Sequence, residues 1–283
     1  MKRNPHLTQK IAFFLLLLAT LLIVVPVGLI VVIIIQKGLP AMNWQFLTDI
    51  PRQGMRAGGI FPAIVGTAYL VGGAIIFALP IGLLAAIYLS EYSKENILSR
   101  IIKLAIINLS GVPSVVYGLF GLALFVVFFK FGASILSGAL TLGIMILPII
   151  ITSSREALES VPDSFREVSL SLGASKWQTI RHIVLPNAIP GILTGTILGL
   201  GRAAGETAPI LFTVAAFYLP QLPGSIFDQA MALPYHLYVI STQVPNVDEK
   251  IRYGTALVLV LLVLFMNLMA IIIRSKLRKN KKW

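Results

Sequence analysis

The sequence predicts an all-α, polytopic membrane protein with six transmembrane helices, and three observations carry that prediction. The 283 residues are 57% hydrophobic and only 12% charged, with a mean hydropathy of +0.89, a balance that water-soluble domains of this length do not show. Six apolar segments stand out: Ile11–Ile35, Ile60–Leu89, Leu104–Phe129, Ile135–Thr152, Ala188–Ala216 and Tyr253–Ile273. Each can cross a hydrocarbon core about 30 Å thick, which needs roughly 20 helical residues. The formal net charge of +12 would suggest nucleic acid if the basic residues formed a face, but they sit mainly between and beyond the apolar segments. That is membrane topology, and no nucleic-acid partner is expected.

The first segment follows Lys2, Arg3 and Lys10 and has the outline of a signal peptide. Its apolar run of 25 residues exceeds a normal h-region and no small-x-small cleavage site follows, so it reads as a retained helix. Orientation follows from the remaining charges. Sixteen of the 23 Lys and Arg residues lie at the termini and in the second and fourth connections, six lie in the alternate connections, and Arg202 lies within a segment. The positive-inside rule then places both termini in the cytoplasm. Proline recurs in the segments at Pro26, Pro80, Pro113, Pro148 and Pro209, where kinks are expected and neighbouring helices can satisfy the freed carbonyls. The external stretches Gln36–Gly59 and Leu219–Arg252 are too polar and proline-interrupted to span, and short interfacial helices are expected there. Trp44 and the Tyr235–Tyr238 cluster suit a membrane boundary.

The connection 153–187 reads as two short helices hinged at a glycine. Ser160 is placed to cap an opening turn containing Pro162, after which Phe165, Val168 and Leu172 share one face. Gly173 ends that helix; Ser175 and Gln178 form a capping-box pattern opening a second, with Trp177, Ile180 and Ile183 at helical spacing, and Pro186 is expected to stop it. Such a loop offers an apolar ridge either to the lipid surface or to a partner.

Arg202 and Glu206 are the only ionisable residues well inside a spanning segment, with Arg202 near the middle of Ala188–Ala216. An Arg at the bilayer centre costs roughly 2.5–3.5 kcal/mol on insertion scales, so it should face a polar interior. A salt bridge that merely lowers this cost is one explanation, yet Arg before Glu is the weaker i,i+4 order, and uncharged residues would avoid the penalty altogether. A guanidinium binds a tetrahedral oxyanion through two parallel hydrogen bonds, which points to anion transport. The pair is nearly neutral as a whole, so either a partner supplies a second cation or Glu206 swings away. Thr194, Thr196 and Thr207 are further hydroxyl donors, although threonine in a membrane helix more often bonds its own backbone. Gly195, Gly199, Gly201 and Gly205 have the small-xxx-small spacing that lets helices approach closely. The three histidines are scattered without ligand spacing, so no metal is expected, and the absence of cysteine excludes disulfides and thiol chemistry. No nucleophile–base constellation indicates an enzyme; Glu156, Glu159 and Asp163 read as a solvated charge run.

Glu167, Gly173, Ile183, Leu185 and Pro186 stand as E-x5-G-x9-I-x-L-P, and this resembles the coupling-loop signature of bacterial ABC-importer permeases. Val168 and Ser169 depart from the two alanines usual after the glutamate. The resemblance implies the type I (MetI-like) permease fold, with Glu167 and Gly173 shaping the loop and Leu170, Leu172 and Trp177 docking an ATPase subunit. Gly201–Phe212, GRAAGETAPILF, resembles the fifth-helix motif of that family's phosphate permeases, and 58–67, GGIFPAIVGT, the start of their second helix. This implies phosphate as cargo and Arg202 and Glu206 as pathway charges. It also implies a homologous second permease, two ATPase copies that bind ATP and Mg, and an external phosphate-binding protein. With no G-x-x-x-x-G-K-[ST] sequence in this chain, the energy would enter from those partners. The expected organisation is an amino-terminal helix and external loop (1–59), a five-helix core (60–273) containing the coupling loop, and a basic tail (274–283). Sulfate or molybdate would satisfy the same chemistry, and an ATP-independent carrier or channel is the alternative of a different class.

Overall fold

A computed structural model describes residues 5–94 and 96–279. The topology charges at Lys2, Arg3, Lys281 and Lys282 lie outside those residues. The helices in order are α1 (Pro5–Gly38), α2 (Trp44–Thr48), α3 (Phe61–Ile87), α4 (Ile97–Ser110), α5 (Ser114–Gly121), α6 (Ile135–Glu159), α7 (Asp163–Ser171), α8 (Lys176–Thr179), α9 (Leu185–Gly205), α10 (Ala208–Thr213), α11 (Leu233–Thr242) and α12 (Glu249–Lys279). Two two-residue strands, β1 (Pro51–Arg52) and β2 (Ala57–Gly58), pair antiparallel between α2 and α3; this small hairpin was not expected.

Among the described residues five helices are long and apolar enough to cross a membrane, or six if a bent pair forms one span. That pair is the expected third segment: α4 and the helix from Ser114 to Phe128 meet at 103°. The single kinked helix expected over Leu104–Phe129 is instead two helices, which is a correction. Pro113 lacks an N–H and its ring opposes the carbonyl four residues earlier, so the chain restarts there instead of kinking. The freed Leu109 carbonyl accepts a hydrogen bond of 2.7 Å from the Tyr117 hydroxyl. Pro26, Pro80 and Pro148 do lie inside helices, as does Pro190.

The bundle is centred on α3, α6 and α9. Leu70, Leu142, Ile146 and Ile150 are wholly buried between them, and small residues set the spacing. A Cβ on Gly73 would meet Ala139 at 2.8 Å and one on Gly143 would meet Phe77 at 2.6 Å, so α3 and α6 touch almost backbone to backbone. On α9 a Cβ on Gly191 or Gly195 would run into Ala157 or Ser153 of α6, whereas Gly199 has ordinary clearance and Gly205 meets nothing. Close approach thus falls one turn earlier than the sequence spacing indicated. By contrast α1 exposes most of its apolar side chains and meets the bundle at one end, where Gly38 abuts the Tyr253 carbonyl of α12 and Lys37 pairs with Glu249 at 3.1 Å.

A second, smaller core closes one end of the bundle. Ala86 and Ile87 of α3, Leu158 of α6, and Ile180, Val184 and Ala188 pack together, with Phe165 of α7 partly buried against them.

Candidate functional site

The connection between α6 and α9 is shorter than its sequence outline. α6 runs to Glu159, beyond the expected end at Thr152, and Ser160 closes that helix, its hydroxyl donating to the Ala157 carbonyl. Ser160 is therefore not the cap of α7; that position belongs to Pro162. α7 ends in a Schellman motif: Gly173 N–H donates to Leu170 O (2.9 Å), Ala174 N–H donates to Ser169 O (3.2 Å), and Gly173 is left-handed at φ +84°. The Ser175–Gln178 capping box opens α8 with both reciprocal bonds formed. A hydrogen bond of 2.9 Å between the Ser169 and Thr179 hydroxyls braces the two short helices.

Pro186 does not stop this second helix, a further correction. A π-helical turn over Ile180–Val184 separates α8 from α9, and the axis continues unbroken from Lys176 to Gly205. The wider turn accommodates a proline ring that a regular α-helix would push against the carbonyl of residue 182. The predicted apolar face also divides. Val168, Leu170, Leu172 and Trp177 are exposed, Leu172 to 83%, while Phe165 and Ile180 turn inward as anchors. Glu167 is exposed on α7. The residue that ties the loop down is its neighbour Arg166, which the sequence reading counted only as a topology charge.

Arg202 and Glu206 come together, with Nε and Oε1 3.6 Å apart. Their position differs from the expected mid-helix site. α9 ends at Gly205, Glu206 is extended at ψ 136°, and α10 starts after Thr207. Pro209 is responsible, because continuing the helix would drive its ring into the Gly205 carbonyl. Arg202 therefore occupies the last turn of a 30-residue helix running from Lys176, where its charge complements the carbonyl end of the dipole. The side chains are 33% and 18% exposed. At 3.6 Å the contact is an ion pair longer than a hydrogen bond, so the carboxylate does not occupy the guanidinium donors.

Two polar groups at this site were not expected. Tyr117 of α5, only 4% exposed, lies close enough to Arg202 to feel its charge. Asn267 of α12 faces Gly201, and its Oδ1 is buried without a hydrogen-bond partner. A lone Asn in the middle of an apolar run was the available signal for the second. Thr194 and Thr196 donate to the Pro190 and Ile192 carbonyls, the backbone alternative weighed above. Thr207 borders the break. A large cavity of about 440 Å³ lies between α3, α6 and 223–226, and neither member of the charged pair lines it.

Residues 78–282 match the family described as "Binding-protein-dependent transport system inner membrane component". The chain is 36% identical over 258 residues to the "Probable ABC transporter permease protein YqgI" of Bacillus subtilis, covering 86% of this chain and 87% of that one. It is 37% identical to the "Phosphate transport system permease protein PstA 1" of Mycobacterium tuberculosis, over 80% of this chain and 73% of that one. With the PstA of Xylella fastidiosa it shares 35% identity over 88% and 85%. The fold is similar to the crystal structure of a bacterial alginate ABC transporter in complex with a pentasaccharide-bound periplasmic protein, at TM-score 0.66 and 16% identity over 95% of this chain and 96% of that one. An inward-facing MetNI methionine ABC transporter gives TM-score 0.58 at 17% identity over 77% and 94%. Sequence match, multi-pass apolar helices and fold agree: the chain belongs to the binding-protein-dependent inner-membrane components and is a permease subunit of an ABC importer.

Proposed function

We propose that this subunit imports inorganic phosphate, with Arg202 and Glu206 as pathway charges and Thr207 as an adjacent hydroxyl donor. The observation that carries this reading is the Arg202–Glu206 pair at the break between α9 and α10, partly exposed and with its guanidinium donors unclaimed by the carboxylate. A permanently charged planar fork suits a tetrahedral oxyanion, and the named phosphate-transport relatives support that cargo. The pair is open on one side of this chain, as expected if a homologous PstC-like permease completes the pathway and contributes further donors.

The loop 153–187 then faces the cytoplasm, as do both termini. Leu170, Leu172 and Trp177 form the surface for a PstB-like ATPase dimer, which binds ATP and Mg; Glu167 and Gly173 shape the loop, Gly173 setting the angle between α7 and α8, and the π-turn before Pro186 carries the motion into α9. A PstS-like phosphate-binding protein delivers cargo to the opposite face, and α1, with its exposed apolar surface, lies against lipid or the second permease. ATP-driven closure of the ATPases exposes the Arg202 site outward, and hydrolysis returns it inward.

The test is phosphate uptake by proteoliposomes of the assembled transporter. Arg202→Gln should abolish ATP-dependent uptake while leaving subunit association intact; undiminished uptake would overturn the site assignment. Competition by sulfate and molybdate decides the cargo, and uptake without ATP would indicate the carrier alternative.

A further inference from the structure

Arg166 of α7 and Glu91, in the π-helical turn Tyr88–Tyr92 that ends α3, are 75 residues apart in sequence and form a bidentate pair. Nη2 donates to Glu91 Oε1 at 2.7 Å, and Nε lies 3.2 and 3.3 Å from the two carboxylate oxygens. The side chains are 17% and 7% exposed, so little solvent screens the contact. The same guanidinium donates to Leu158 O (2.9 Å), to Val161 O (2.6 Å) and to Asp163 Oδ1 (3.2 Å). Leu158 lies in the last turn of α6 and Val161 just past its end, where the carbonyl end of a helix favours a cation. One side chain therefore ties three helices together: α7, which carries it, α3 through Glu91, and α6 through the Leu158 carbonyl.

α7 has few other holds on the bundle. None of its residues is fully buried, and Val168 and Leu170 are exposed; Phe165 supplies its apolar anchor. Beyond the Gly173 hinge, at the start of α8, Lys176 Nζ stands 4.9 Å over the ring of Tyr92, the residue next to Glu91. Displacement of α7 must therefore pull on the end of α3 through Arg166, or break a desolvated, charge-assisted network whose separation would leave Glu91 unpaired. Rigid contacts of this kind transmit small shifts because packed elements move as bodies.

We propose that the Glu91–Arg166 pair is the latch that makes α3 and α6 follow α7, so that both are positioning residues for coupling hydrolysis to transport. The proposal rests on the reading of 153–187 as the ATPase-coupling loop. Its test uses the complete transporter in proteoliposomes, measuring basal ATP hydrolysis, its stimulation by the cargo-loaded binding protein, and phosphate moved per ATP. Glu91→Gln, which keeps the shape and removes the charge, should leave subunit association and basal hydrolysis near wild type and lower both stimulation and transport per ATP by about tenfold, the scale of an ordinary coupling energy. A purely structural role would instead reduce association and basal hydrolysis together.

This chain contains no cysteine. Glu91→Cys with Arg166→Cys can therefore be bridged by a bifunctional methanethiosulfonate in complexes whose partners lack cysteine, then released by reduction. Stimulation should be retained when bridged and lost on reduction of the same molecules, which decides the question even if Glu91→Gln assembles poorly. Wild-type stimulation in Glu91→Gln, or equal stimulation in bridged and reduced complexes, would overturn the latch. Wild-type complexes that are stimulated but move no phosphate would overturn the cargo alone, and failure of the ATPase to associate would overturn the coupling reading on which the latch rests.

Discussion

The Gly173 turn gives a quantitative test of the hinge in the coupling loop. Its φ of +84° lies in the left-handed region, and a Cβ built there would meet no atom within 4 Å. Gly173→Ala therefore tests backbone strain alone, with no steric clash to confuse it. An L-residue forced into this conformation costs about 1–2 kcal/mol, which lowers the ratio of hinged to unhinged turn by a factor of roughly 5–30. Because the Schellman bonds and the α8 capping box both depend on the turn, the loss should appear as weaker docking of the ATPase subunit. Titrating that subunit onto the permease in nanodiscs should show Kd rising, by up to that factor. Gly173→Asn should recover part of the loss, since Asn tolerates the left-handed region better than other side chains. Gly28→Ala in α1, also with nothing within 4 Å and without a positive φ, should leave docking unchanged. If Gly173→Ala docks as tightly as wild type, the left-handed turn does not set the loop's working geometry and the hinge argument is wrong.

Gly66→Ala should destabilise the bundle by about 1–3 kcal/mol through overpacking, because the new Cβ would enter the Met231 carbonyl where α3 meets the segment before α11. Gly72→Ala, two turns along in open space, should be neutral or slightly stabilising by about 0.5–1 kcal/mol; thermal unfolding in detergent compares the two. His236 in α11 has its Nδ1 buried without a hydrogen-bond partner, and burial holds its pKa down to about 4 from 6.5. The unfolded chain takes up the proton first, so this contribution is complete above pH 6.5 and disappears as pH falls to about 4, a span worth roughly 3 kcal/mol. His236→Gln should flatten the acid side of the stability profile by that amount, and an unchanged profile would count against the buried neutral ring. Ser175→Ala should cost about 1 kcal/mol of α8 stability by removing its cap, read as faster amide exchange at Gln178.

Composition and hydropathy settle the membrane class before any contact is known. Lipid offers no partners for backbone groups, so a long apolar run must be helical wherever it lies. The α7–α8 hinge was also legible, because Gly173 and the Ser175–Gln178 box act within a few residues. Arg202 and Glu206 were legible as the only ionisable residues well inside an apolar segment, again a local feature. Proline was legible as a disturbance but not in its outcome: Pro148 stays within a helix, Pro113 and Pro209 start new ones, and Pro186 is absorbed by a π-turn. At Pro113 the chain restarts and the Tyr117 hydroxyl takes the Leu109 carbonyl. The restart at Pro209 moved Arg202 from the expected helix centre to a helix end. The Glu91–Arg166 junction lay wholly beyond sequence reasoning, because residues 75 positions apart meet only when the α3–α6 glycine contacts bring the helix ends together. Sequence by itself thus determined which segments leave water and where local turns form, since those depend on single residues and near neighbours. Tertiary structure alone decided which charges meet and which apolar side chains are buried, since those depend on atoms supplied by distant parts of the chain.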